Sequence, residues 1–198
     1  MGMYGDTVLM KYGIIYSLKE ATFDGVDEVP EDIIDFNKEL NSYDYGIIID
    51  GKKYIKNIDW KKYKTATLSE FKKYHCGTCW DFANYEADWF RKHGYSFDTY
   101  FIQIDNKKDC PCHAFLIFYI NGKSYYFESS WHKMQGIRKI NSNQEAVNFV
   151  CKSLNETYNK DNKFKMYAFK YNTSGLDNHL TSEKYMNTIY DIGSEIRV

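Results

Sequence analysis

The chain has 198 residues, a length suited to one domain that buries roughly two-thirds of its unfolded surface and needs no disulfide or metal to fold. Hydrophobic residues at 43%, charged residues at 27% and only two prolines exclude a disordered or fibrous chain. Twenty-six basic against 27 acidic residues leave a net charge of −1, which excludes a global field recruiting nucleic acid or an anionic membrane. In chain order, residues 1–65 read as mixed strands and one helix. Pro30 opens that helix, with Ile33, Ile34, Phe36 and Leu40 behind it. Asp50-Gly51 between Tyr45–Ile49 and Lys53–Ile58 predicts a tight hairpin, and Thr67 to Lys73 a short helix. Thr78, Cys79, Trp80 and Asp81 open an amphipathic helix that ends at His93-Gly94, its stripe formed by Trp80, Ala83, Ala87 and Phe90. His113 begins an interior strand running to Ile120, and Asn121-Gly122 turns it onto a partner, Lys123 to Glu128. Asn143 is expected to cap a helix with Ala146, Val147, Val150 and Leu154 on one face. Phe164 to Tyr171 reads as a strand, and residues 172–198 as a wrapping tail around a core spanning about 66–171.

No stretch approaches the roughly 20 apolar residues that span a bilayer. Met1 to Tyr16 lacks the basic and apolar regions of a secretory leader, so the expected compartment is cytoplasmic. Five cysteines, an odd number, suit that compartment better than a disulfide framework would. Basic–aromatic runs such as Trp60-Lys61-Lys62-Tyr63-Lys64 read as solvated faces rather than a nucleic-acid surface.

Between Cys76 and Trp131 the residue types carry chemistry. Cys79 sits in the first turn of its helix, where unpaired amides and the dipole favour an anion and lower a thiol pKa. If Ile120 pairs with Lys123, then Phe115 lies opposite Glu128 and His113 opposite Ser130. His113 and Glu128 become diagonal neighbours on one face, about 7 Å apart or less at Cβ. A carboxylate there fixes the imidazole tautomer and stabilises its protonated form. Cys79, His113 and Glu128 are therefore the candidate catalytic residues, with the Cys79 amide as one oxyanion donor. Trp60, Tyr74 and His75 are unranked candidates for the second donor.

The segment from Gly77-Thr78-Cys79-Trp80 through Phe127-Glu128 resembles the core of the transglutaminase-like superfamily, over roughly 60 residues. His113 and Glu128 carry that family's 15-residue spacing, with Glu128 where the family usually has Asp. Cys76-Gly77-Thr78-Cys79-Trp80 is also similar to the papain signature. Only 119 residues follow Cys79, however, and Lys73 occupies the place of papain's glutamine. The resemblance implies an α+β domain with a cysteine-bearing central helix packed on an antiparallel sheet. It also implies acyl transfer on a protein or peptide substrate through a thioester, with no cofactor, most often by a cysteine peptidase or amidase. Cross-linking or deamidation is the alternative within that class. Two alternatives lie outside it: an inactive scaffold of the same fold, and a zinc-stabilised adaptor using Cys76, Cys79, Cys110, Cys112, His75 and His113. Glu128→Asp is expected to be tolerated if ring tilt absorbs one methylene, and Ser130→Ala to matter far less than Glu128→Gln.

Overall fold

The computed structural model describes residues 21–198 except 57, 107–109, 160 and 162. The readings made for the first 20 residues, the leader among them, lie outside the described residues. Among the described residues a seven-stranded sheet has the order β1-β9-β8-β7-β6-β10-β11. Its long central strands are β6 (Ser96–Asp105), β7 (Cys112–Ile120), β8 (Lys123–Glu128) and β10 (Lys165–Tyr171). At its margins are β1 (Thr22–Asp24), β9 (Gly136–Ile140) and β11 (Ser194–Ile196). Every pairing is antiparallel except β1 with β9. Two small sheets stand beside it: β2 (Asp44–Tyr45) runs parallel to β5 (Cys76–Gly77), and β3 (Ile47–Ile49) pairs with β4 (Lys52–Tyr54). The protein is thus a mixed α+β fold built on a mostly antiparallel sheet. Among the described residues no helix is long and apolar enough to cross a membrane.

Five α-helices cover the sheet among the described residues: α1 (Glu31–Leu40), α2 (Leu68–Tyr74), α3 (Cys79–Lys92), α4 (Asn143–Tyr158) and α5 (Ser182–Ile192). Strand alternation divides them. Leu116 and Phe118 of β7, with Phe127 of β8, pack under α1 and the far half of α3. Ala114 and Phe101 meet the near half of α3 and α5. Phe115, Ile117 and Tyr126, on the opposite face, meet Ala146, Val147, Val150 and Leu154 of α4. The Cys-bearing helix therefore lies on one side of the sheet and α4 on the other.

Both hairpins follow their turn dipeptides. Asp50-Gly51 and Asn121-Gly122 all take positive φ, as a two-residue hairpin turn of this hand requires. Several sequence expectations are corrected. The strands around Asp50-Gly51 are shorter than expected because Tyr45 is drawn into the parallel pair with Gly77. The cap of α4 is Ser142, whose Oγ accepts from the Glu145 amide; Asn143 instead donates to the Tyr100 and Tyr119 hydroxyls. Residues 172–198 are more than a tail. They form α5 and β11, and β11 closes the sheet edge along β10. Tyr185 of α5 stacks on Trp80 at 4.6 Å, so this segment is part of the core.

Candidate active site

Cys79 is the first residue of α3, and Thr78 before it is extended. The Asp81 carboxylate holds this start together. It accepts from the Thr78 amide at 2.8 Å, the Ala66 amide at 2.7 Å and the Tyr63 hydroxyl at 3.1 Å. Burial pushes the Asp81 carboxyl up to about 6, against the lowering effect of those donors. Residues 63–66 are thereby fastened to the helix start. Gly77 is needed here for space. A Cβ on it would come within 2.7 Å of the Phe71 ring and 2.6 Å of Asp81 Cβ.

Cys79 is fully buried, in one apolar cluster with Trp60, Trp80, Ala83, Cys112 and Ala114. Cys76 and Cys151 are buried too, and burial pushes their thiols up to about 12 and about 11. The thiolate is the reactive form, so both should stay unmodified by iodoacetamide at pH 7.5, as read by peptide mapping. Of the three oxyanion candidates, Trp60 shares the Cys79 cluster. Tyr74 is half-buried, and His75 is exposed and stacked on Tyr43 at 4.3 Å.

The β7–β8 register is the one the turn dictates: Ile120 pairs with Lys123 and Leu116 with Phe127. Extending it by one step sets Phe115 opposite Glu128, and the diagonal neighbours meet. His113 Nε2 lies 2.6 Å from Glu128 Oε2, and both side chains are 2% exposed. The carboxylate takes four more donors. Tyr126 Oη donates to Oε2 at 2.8 Å, while Oε1 accepts from the Ser130 amide and hydroxyl at 2.9 Å each and the Trp131 amide at 2.8 Å. Burial opposes ionisation of Glu128, but the His113 charge and these hydrogen bonds outweigh it and hold the carboxyl below its ordinary range. Trp131 caps the imidazole edge-on at 5.0 Å, and Phe115 flanks it at 6.2 Å.

The structure thus joins His113 to Glu128 directly. It sets Cys79 in one cluster with Cys112 and Ala114, the residues on either side of His113, while the imidazole leans with Phe115 to the other face of β7. Ser130 is a direct partner of Glu128 rather than a bystander. Sequence reasoning missed Tyr126 and Trp131 as partners, although period-two alternation puts Tyr126 on the Glu128 face. It also missed Asn37, whose Nδ2 donates to the Glu128 carbonyl at 3.0 Å. An Asn among Ile33, Phe36 and Leu40 on the buried stripe of α1 was the available signal. Among the described residues no three His, Cys, Asp or Glu side chains converge as metal ligands. Comparison with family models, with curated proteins and with solved structures gives no match.

Proposed function

We propose that the protein is a cysteine-dependent acyl-transfer enzyme acting on peptide or side-chain amides, most simply as a peptidase or amidase. The observation that carries this reading is the buried His113–Glu128 pair. A carboxylate saturated by five donors, held below its ordinary range and bonded to one ring nitrogen, is a costly arrangement for mere packing. It leaves His113 Nδ1 for proton transfer. In the proposed mechanism His113 takes the Cys79 proton, and the thiolate attacks the amide carbonyl to form a thioester. His113 then protonates the leaving amine. Glu128 stabilises the imidazolium, and the Cys79 amide at the helix start receives the oxyanion. Water as acceptor gives hydrolysis, and an amine gives cross-linking. The thiol and the ring share the start of β7: Cys112 and Ala114 lie in the Cys79 cluster, and His113 stands between them on the strand.

A second reading has its own observation. Cys79 has no exposed surface, which suits an inactive scaffold retaining the fold. Alkylation separates the two. Under the enzyme reading Cys79 reacts with iodoacetamide well below pH 8.5, faster than the other four cysteines, and His113→Ala removes that advantage. Labelling of Cys79 no faster than that of Cys76 would establish the scaffold.

A further inference from the structure

One buried acid takes no part in this mechanism. Glu86 lies seven residues after Cys79, two turns along α3, and is 2% exposed. Its Oε1 accepts a hydrogen bond from Ser129 Oγ, the residue next to Glu128. Ser129 is held from a second side by Gln135 Nε2, which donates to its carbonyl at 2.7 Å. With Asn37 on the Glu128 carbonyl, this end of β8 is pinned at three points, and only the Glu86 point belongs to the helix that begins with Cys79.

Among the described residues Glu86 enters no ion pair. Its electrostatic partners among them include Glu128 and Tyr126 of β8 and Tyr171 of β10; Arg138 lies over the Tyr126 ring and His113 against Glu128. The charged side chains of α1 are exposed, as are Lys165 and Lys170 of β10. On α2, Lys72 and Lys73 are exposed, and half-buried Glu70 is engaged with Thr67. Burial and the neighbouring Glu128 charge push the Glu86 carboxyl up to about 8, so it carries its proton at neutral pH.

We propose that Glu86 is a positioning residue of the same site. As a neutral carboxyl it clamps Ser129, and with it the Glu128 end of β8, to the Cys79 helix; on losing its proton it acts on the His113–Glu128 pair as a second negative charge. The inference rests on the acyl-transfer reading of those residues, and it predicts a coupled titration.

The test follows the His113 ring by 15N NMR against pH, in the parent, in Glu86→Gln and in Ser129→Ala. In the parent the ring resonances should show, besides any change of the ring itself, a second step near pH 8. Glu86→Gln, of the same shape and unable to ionise, should lose the second step. Ser129→Ala keeps the carboxyl and should retain it. Superimposable titrations of parent and Glu86→Gln overturn the proposal, as does loss of the step in Ser129→Ala, which would mark a purely structural effect. The parent alone gives an independent reading, should a variant fail to fold. The 13C shift of the Glu86 carboxyl must move with that second step, and a carboxyl titrating between pH 4 and 5 overturns the proposal. Melting adds a sign. A folded-state pKa raised above the unfolded 4.5 means that stability falls as pH rises from 4.5 to 8, and Glu86→Gln should abolish that part of the decline. If Cys79 fails to alkylate preferentially while the step behaves as stated, acyl transfer falls and the coupling stands. If Cys79 alkylates preferentially and the titrations coincide, the Glu86 inference alone falls.

Discussion

Under the proposed acyl-transfer reading, Glu128→Gln should lower the rate at Cys79 by about 10⁴, the loss seen when the orienting carboxylate of a serine-protease triad is amidated. The reason lies in the donor count. Five N–H and O–H groups converge on two carboxylate oxygens, and a carboxamide supplies one acceptor oxygen and an NH₂ that only donates. If its oxygen faces the Ser130 and Trp131 amides, its NH₂ meets His113 Nε2 and the Tyr126 hydroxyl. His113 must then present Nε2 as an acceptor and carry its proton on Nδ1, the nitrogen the mechanism needs free. The opposite orientation sets the NH₂ against two buried amides, at about 1–3 kcal/mol for each group left unpaired. Alkylation rate and thermal melting read the two costs separately. The same count revises the expectation for Glu128→Asp. Oε1 reaches the amides at 130 and 131 while Oε2 reaches the ring, a span fitted to the longer side chain. Shortened by one methylene, the carboxylate gives up one set of partners. Asp should therefore fall between Glu and Gln in alkylation rate, although it is the residue usual in the family resembled. A Gln variant as reactive as the parent would reduce the triad to a cysteine and a histidine.

What could be read from the sequence was local or periodic. Asn121-Gly122 set the β7–β8 register to the residue, and that register alone predicts the meeting of His113 and Glu128. Thr67 and Thr78 marked the starts of α2 and α3 because capping chemistry is local. What escaped was non-local. β2 and β5 are two-residue strands whose parallel pairing joins segments about 30 residues apart, and neither has a turn or a period to announce it. β9 pairs with β1 through Gly136, where a Cβ would meet the Thr22 carbonyl oxygen at 1.8 Å. The glycine is visible in the sequence, but its reason is over 100 residues away. α5 was lost because Tyr185, Met186 and Ile189 are few among polar residues, and their value comes from Trp80 and Tyr171. Glu86 escaped for another reason. A charged residue on an apolar stripe reads as an exposed edge position until Ser129 is found against it.

Phe90→Ala should give the largest loss of stability of any single truncation on α3, about 3–5 kcal/mol, without touching the chemistry. Phe90 is fully buried, and its ring lies 5.2–6.4 Å from those of Phe118, Trp89, Phe127, Tyr95, Phe97 and Phe36. These neighbours come from the helix itself, its exit, β6, β7, β8 and α1. No single backbone movement can close the hole on all of them, so the cavity persists and the upper part of that range is expected. Yet Phe90 stands eleven residues from Cys79, about 16 Å along the helix axis, beyond the reach of local repacking. Well below its melting temperature the variant should alkylate at Cys79 as fast as the parent and keep the pH profile set by His113. Glu128→Gln should show the reverse, a modest change in melting and a collapse in rate. Melting curves and alkylation rates measured on both variants therefore separate what docks α3 from what activates its first residue. A Phe90→Ala protein that melts like the parent, or loses Cys79 reactivity while folded, would show that the helix does not hold its two ends independently.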